Sequence, residues 1–189
     1  MNLVDRVKKI LLTPTQEWEV IKSENLSVAE IFTQYAMILA AIPAVAGFIG
    51  FTMIGSSVLG VYVRRTLAEG LTFAVLSYAL SLVSVYVLGL IIDALAPNFG
   101  CRKDFPTSLK VAVFSFTASW VAGIFQLLPQ LSWLSILGMY SLYLVYLGLR
   151  ALKEVPQQNL IGYFATSVVA AIVIWILVGT VVSLVAFGI

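Results

Sequence analysis

Four long stretches of this chain contain no Asp, Glu, Lys or Arg. They cover residues 31–63, 70–92, 111–149 and 155–189. The hydrocarbon core of a bilayer is about 30 Å thick, and about 20 helical residues at about 1.5 Å each cross it. Each stretch is long enough to span a membrane, so the sequence predicts an integral membrane protein.

The composition excludes several classes of function. Charged residues make up 11% of the 189 residues, well below the roughly 25% of soluble domains. A net charge of +2 is too small for the continuous basic surface that binds nucleic acid. The absence of histidine removes the commonest general base and metal ligand. Because no acid–base or nucleophile–base pair can be assembled either, we predict no enzymatic activity, no metal and no cofactor.

Residues 1–26 predict one or two short amphipathic helices ahead of the membrane domain. Apolar side chains recur at helical spacing near the start, with basic residues largely on the other side. These apolar residues are Leu3, Val7, Ile10 and Leu11, and the basic ones are Arg6, Lys8 and Lys9. Pro14 then begins a second helix, which carries Trp18. We expect both helices to lie on the cytoplasmic leaflet, with Trp18 and the basic side chains at the lipid surface.

Residues 27–189 predict an all-α membrane domain of five transmembrane helices. A capping box formed by Ser27 and Glu30 precedes the first span. The segment 129–132 contains Pro129 and divides the longest charge-free stretch into two spans. Pro43 has no N–H to donate to the carbonyl of Leu39, so we predict a kink in the first helix there. The predicted helices cover about residues 28–56, 68–95, 107–128, 133–152 and 160–187.

The distribution of Lys and Arg predicts the orientation of these spans. Five crossings place the termini on opposite sides of the membrane. With the N-terminus inside, only Arg64 and Arg65 of the 11 basic residues lie outside, and the other nine lie in cytoplasmic segments. Cytoplasmic segments are generally enriched in Lys and Arg. We therefore predict a cytoplasmic N-terminus and an outer C-terminus.

Small residues recur at helical spacing within the predicted spans. Lipid is as apolar as leucine, so close packing and interhelical hydrogen bonds must hold the helices together. We interpret the rows as packing seams within one chain, and contacts between copies are the alternative. The rows are Ala36, Ala40 and Ala44; Ser77 and Ser81; Ser115, Ser119 and Gly123; and Gly162, Thr166 and Ala170.

A tyrosine-rich segment lies near the predicted cytoplasmic end of the fourth span. It reads Tyr140-Ser141-Leu142-Tyr143-Leu144-Val145-Tyr146-Leu147-Gly148-Leu149. Together with residues 11–21, 41–43, 48–50, 54–55 and 99–115, it resembles the Yip family of Ypt/Rab-interacting proteins, especially small bacterial inner-membrane members. The resemblance implies five helices, a cytoplasmic N-terminus and a bacterial inner-membrane location. This chain has Arg150 where the family pattern often has proline. Because its N-terminal region is short, the resemblance does not imply the trafficking role of eukaryotic members.

Asp93 is the first candidate for a functional side chain. It lies within about a turn of the predicted cytoplasmic end of the second span. An ionised carboxylate costs about 2.5–3.5 kcal/mol at a helix centre and much less near the interface. Two interpretations of Asp93 are open. It is either a solvated or Lys-paired carboxylate at a helix end, or a proton or cation site.

Two further groups are candidates for contacts with lipids or partners. Arg102, Lys103 and Lys110 cluster beside the third span, where each basic residue attracts anionic headgroups by about 1 kcal/mol. They either determine topology or form a specific lipid or partner contact. The tyrosines of the family motif, Tyr140, Tyr143 and Tyr146 beside Gly148, share one broad helix face. They form either an aromatic belt with interhelical hydrogen bonds or a ligand pocket.

We predict from these observations a non-enzymatic role in organising the membrane or binding proteins and lipids. Its partners are membrane lipids, with other membrane proteins or a second copy as further possibilities, and nucleic acid is excluded. The alternative is a small transporter, channel or lipid-moving protein that uses the Pro43 kink and a polar path. This path runs along Ser77, Ser81, Ser84 and Asp93. A hydrated cavity between the first two spans would favour transport, and close packing would favour the interaction role.

Overall fold

The computed structural model describes residues 2–58 and 61–188 and folds most of them into helices. Within these residues, five helices are long and apolar enough to cross a membrane, which confirms the five predicted candidate spans. These are α3 (Val28–Ile54), α4 (Leu67–Phe99), α5 (Phe105–Leu127), α6 (Pro129–Leu152) and α7 (Gln157–Phe187). Two short helices, α1 (Leu3–Leu12) and α2 (Pro14–Ser23), precede them. The orientation of the termini stays a prediction.

Side-chain caps fix where several helices begin. Ser27 and Glu30 form the predicted capping box at the start of α3, with the Ser27 N–H donating to Glu30 Oε2 at 2.8 Å. Thr66 and Glu69 form a second box at the start of α4. The carboxylate of Asp104 caps α5. Each cap satisfies backbone N–H groups that the first helical turn leaves without a partner.

A short hairpin connects α3 to α4, and the sequence patterns did not predict it. Its strands are β1 (Ser56–Val58) and β2 (Val61–Val63), which pair antiparallel with Ser56 opposite Val63. The side chain of Arg64 follows β2 and donates to the carbonyl of Thr52 at 2.6 Å and 2.9 Å. Arg64 therefore satisfies a carbonyl in the last turn of α3, where no further helical turn supplies an N–H.

The first span departs from regular α-helix on either side of Pro43. Two π-helical turns, Phe32–Ala36 and Gly50–Ile54, flank the α-helical part Met37–Ile49, which contains Pro43. A bend angle at Pro43 stays a prediction. What the structure does show is close approach to α5, because a Cβ on Gly123 would lie 2.5 Å from the Cβ of Pro43. A glycine at that position is what allows the two helices to pack so tightly.

The fourth span begins earlier than predicted and changes helix type. The first 11 residues, Pro129–Met139, form 3₁₀-helix, and α-helix begins only at Tyr140. A 3₁₀-helix has three residues per turn, which aligns side chains at every third position. The small residues so aligned are Ser132, Ser135 and Gly138, and Ser141 follows at the same spacing in the first turn of α-helix. This row meets α5, since the Oγ atoms of Ser141 and Ser119 lie 2.9 Å apart and Ser119 Oγ donates to the carbonyl of Gly138.

The third span is the centre of the bundle. Within the apolar part of α5, 72% of the residues are buried, against 6% in α7, which therefore lies at the edge. Hydrogen bonds join α5 to α3 through Tyr35 and Thr117, whose hydroxyl oxygens are 2.7 Å apart. Another joins α5 to α4, because Trp120 Nε1 donates to Ser81 Oγ at 2.8 Å. Such bonds and close backbone contacts take the place of a hydrophobic driving force inside lipid.

Reporter fusions test the predicted orientation. We expect alkaline phosphatase to be active when fused after residue 189, because an odd number of crossings carries the C-terminus outside if the N-terminus is cytoplasmic. Alkaline phosphatase fused after Lys103, in the loop between α4 and α5, should instead be inactive. Green fluorescent protein fused at the same position should fluoresce. Fluorescence from a C-terminal fusion would contradict the orientation.

Candidate functional site

The helices α1 and α2 pack on one end of the bundle as an N-terminal unit, defined as Leu3–Ser23. Trp18 at its centre is fully buried and meets Phe114 of α5 edge to face, with ring centroids 6.4 Å apart. Gly148 of α6 makes room for the indole, because a Cβ there would lie 2.9 Å from Trp18 Cη2. The expectation that Trp18 lies at the lipid surface is therefore wrong, since α5 and α6 offer the ring a closer-packed site.

A buried ion cluster holds the N-terminal unit in place. The Nη1 atom of Arg6 lies 2.5 Å from Glu17 Oε1, and its Nη2 atom bonds to Glu24. The side chains of Arg6 and Glu17 are each only 5% exposed. Lys110 of α5 donates to the carbonyl of Ile21 at 3.2 Å and also to the carbonyl of Glu24. The Arg6 guanidinium thus meets two carboxylates and the Lys110 ammonium meets two backbone carbonyls, which offsets the cost of removing these charges from water.

The predicted lipid-facing position of Arg6 is therefore also wrong. In the α-helix, Arg6 lies three residues after Leu3 and four before Ile10, so it shares their face rather than the opposite one. Ile10 is fully buried with it, whereas Lys8 and Lys9 are exposed. Whether the outer side of the N-terminal unit touches the membrane surface stays a prediction.

Asp93 lies in a second polar cluster at the same end of the bundle. Its Oδ1 atom accepts from the backbone N–H of Asp104 at 2.7 Å and from Ser108 Oγ at 3.0 Å. The ammonium of Lys153 is 3.6 Å away and also donates to the carbonyl of Arg102 at 3.0 Å. This geometry favours the Lys-paired helix end over a proton or cation site, because the carboxylate joins α4 to the start of α5 and the end of α6.

The three basic residues grouped by sequence do not share one exposed surface. Arg102 and Lys103 are exposed, and their role as lipid or partner contacts stays a prediction. Lys110 is buried beneath α2, where its ammonium bonds to backbone carbonyls. Those carbonyls lie 89 and 86 residues earlier in the chain, so no local pattern around Lys110 could indicate them.

A groove of about 570 Å³ lies between α2 and the second half of α6, and we call it the α2–α6 groove. Seven polar side chains line it, namely Thr15, Glu19, Lys22, Tyr143, Tyr146, Arg150 and Glu154. Lys22 and Glu154 form an ion pair at 2.7 Å. This hydrogen bond raises the pKa of Lys22 and lowers the pKa of Glu154, so both stay charged between the usual carboxyl and ammonium ranges.

Two of the three motif tyrosines face this groove. Tyr143 is 47% exposed and its ring lies 5.5 Å from that of Tyr140, while Tyr146 packs edge to face on Phe164. Within the part of the chain that the structure describes, the hydroxyls of Tyr143 and Tyr146 form no hydrogen bond. These two hydroxyls therefore give no support to interhelical hydrogen bonding, and the choice between an aromatic belt and a ligand pocket stays a prediction.

Comparison with known proteins places this arrangement in a family. The model of the Yip1 domain matches residues 8–179, which include the N-terminal unit's buried Trp18 and the Tyr140–Leu149 motif against which it packs. The chain belongs to the Yip1 domain family. The inner membrane protein YohC of Escherichia coli K12 is 29% identical over 181 residues, 93% of each chain. The protein of the same name in Escherichia coli O6:H1 matches equally. No solved structure matches.

These findings also give the location of this Yip1 family member. Its relatives are inner membrane proteins, and five of its helices can cross a bilayer. The chain is therefore a multi-pass protein of the bacterial inner membrane. This agrees with the location implied by the sequence resemblance.

Replacing Gly148 with alanine tests how the N-terminal unit is held on this family member. We expect Gly148→Ala to weaken docking by about 1–3 kcal/mol, because the new methyl group overlaps the buried indole of Trp18. Limited proteolysis should then cut the 24–27 linker several-fold faster than in the unchanged protein.

Gly179→Ala is the matched control for this experiment. A Cβ at Gly179 would meet no atom within 4 Å, so proteolysis of the linker should stay unchanged. Equal cleavage rates in the two variants would contradict the packing role of Gly148.

Proposed function

We propose that the protein is a non-enzymatic membrane-organising protein that binds lipids and other membrane proteins at the end covered by its N-terminal unit. The observation that carries this proposal is the buried cluster of Arg6, Glu17, Glu24 and Lys110. It fixes α1 and α2 on the bundle and so presents one defined outer surface. Exposed on that surface are Lys8, Lys9, Leu12 and Val20, a mixture of basic and apolar side chains.

The polar residues of the bundle support an interaction role over transport. Ser77 and Ser84 donate to carbonyls of their own helix, and Ser81 accepts from Trp120. Asp93 is bonded at the helix end. The side chains that would form a polar path are thus engaged in hydrogen bonds that build the helices and join them. A path for ions or solutes needs such groups to face water instead.

Family membership supports the non-enzymatic part of the proposal. The relatives are described as inner membrane proteins, without a reaction in their names. The titratable side chains Arg6, Glu17, Lys110 and Asp93 also form ion pairs or hydrogen bonds to backbone groups. Their contacts position helices, whereas a catalytic acid or base must be free to exchange a proton with a substrate.

Site-specific photo-cross-linking in living cells tests the proposal. We expect a photoactivatable phenylalanine analogue at Lys9, Leu12 or Val20 to give a reproducible protein adduct of one mass, because these positions face outward. The adduct should disappear when Trp18→Ala releases the N-terminal unit. The control position is Trp175, which is 75% exposed on α7 and should cross-link to lipid only.

Two results would contradict the proposal. One is the absence of discrete protein adducts from every position on the N-terminal unit. The other is a solute or ion flux in reconstituted vesicles that Asp93→Asn abolishes while the protein stays folded. The second result would establish the transport alternative.

A further inference from the structure

We propose that the α2–α6 groove binds a bilayer phospholipid whose headgroup carries both a phosphate and a primary ammonium. This inference deepens the proposed function and rests on it, because it names one lipid partner of the same end of the bundle. Three features of the groove lead to it: its size, its charges and its position along α6. None of them depends on the loop residues Arg102 and Lys103.

The size of the groove suits a headgroup with the first part of its acyl chains. Its volume of about 570 Å³ lies within the range of about 300–1,000 Å³ that is typical of ligand sites. The walls combine polar side chains with apolar ones, including Leu147 and Val155. Such a mixed lining matches a molecule with one polar and one apolar end better than a fully polar solute.

The charges of the groove match a headgroup with one charge of each sign. Lys22 and Glu154 neutralise each other at 2.7 Å. Across residues 2–58 and 61–188, Arg150 and Glu19 form no ion pair, so one positive and one negative side chain remain available. Arg150 offers the planar set of donors that binds phosphate well, and Glu19 offers an acceptor for an ammonium. A purely anionic headgroup would instead be repelled by Glu19.

The position of the groove places it at the edge of the membrane. Arg150 lies in the last turn of α6, and Tyr143 lies seven residues earlier, about 10 Å deeper along the helix. Tyrosine rings favour the depth of the headgroups, and the hydroxyls of Tyr143 and Tyr146, which form no hydrogen bond among the described residues, can donate to phosphate or ester oxygens. A ligand that reaches from Arg150 to Tyr143 therefore extends into the span, which indicates a membrane lipid.

The site depends on two parts of the fold. Arg150, in the last turn of α6, supplies the charge that binds phosphate. The other wall of the groove depends on α2, which the Trp18 contact with Gly148 and the Lys22–Glu154 pair hold beside α6. The site therefore needs both the docked N-terminal unit and the charged end of α6.

Native mass spectrometry of the full-length protein tests this inference. The protein is extracted from vesicles of equal parts phosphatidylethanolamine and phosphatidylglycerol, and lipid adducts are counted. We expect preferential retention of phosphatidylethanolamine. Arg150→Gln should reduce retention of both lipids about tenfold, because a charge-assisted bond to phosphate is lost. Glu19→Gln should abolish the preference for phosphatidylethanolamine. Arg65→Gln, the same change at a residue that follows the β1–β2 hairpin and does not line the groove, is the matched control and should have no effect.

Several outcomes would overturn the inference. These are equal retention of both lipids by the unchanged protein, equal behaviour of the Arg150→Gln and Arg65→Gln variants, or binding of soluble phosphoethanolamine with no lipid adduct. Each of them leaves the cross-linking of the outer surface of α1 and α2 unaffected. Loss of those cross-links together with intact lipid selectivity would instead refute the broader proposed function.

Discussion

The buried guanidinium of Arg6, shared by the carboxylates of Glu17 and Glu24, is the interaction on which the functional end of this molecule depends. Removing such charges from water costs several kcal/mol for each ion, and only a well-formed set of partners offsets that cost. The partners come from α1, from α2 and from the linker that follows it. All three segments must therefore adopt one arrangement together. Lys110 then ties this arrangement to α5 through two backbone carbonyls.

The position of α2 determines the α2–α6 groove. Because Trp18 occupies the space above Gly148, the outward side of α2 faces the last two turns of α6. Glu19 and Lys22 are thereby brought opposite Arg150 and Glu154. Charges that are more than 120 residues apart in the sequence thus form one surface. Inside the lipid the helices are held differently, by small residues and by hydrogen bonds such as those of Ser119 and Trp120.

The features that sequence predicts best here are those with a local physical cause. The five spans follow from the absence of charge, and the start of α3 follows from the capping box at Ser27. The docking of α1 and α2 depends on distant contacts, so their amphipathic pattern predicts a membrane surface, whereas Trp18 packs against protein. One local signal was nevertheless available. Arg6 and Glu17 lie among the apolar residues of their helices, where an isolated charge would be costly and a buried pair is stable.

The remaining differences have similar explanations. The 3₁₀ segment of α6 contains small residues at every third position, namely Ser132, Ser135 and Gly138. This repeat is visible in the sequence, but it predicts a 3₁₀-helix only once Ser119 is known to bond to Gly138. The β1–β2 hairpin consists of two strands of three residues each, too short to give a strand pattern. For Asp93, both interpretations fitted the sequence, and Lys153 and Ser108 could be recognised as its partners only in three dimensions.

The most direct measurement of the central claim is the distance between the N-terminal unit and the bundle in a lipid bilayer. Spin labels at Val20 of α2 and Ile161 of α7, both exposed positions, can be compared by double electron–electron resonance after Cys101→Ala. If Arg6, Glu17 and Trp18 fix the unit in place, the distance distribution has a single narrow peak, which broadens in Arg6→Met. A broad distribution in the unchanged protein would show that α1 and α2 move freely on the membrane, and it would contradict the account.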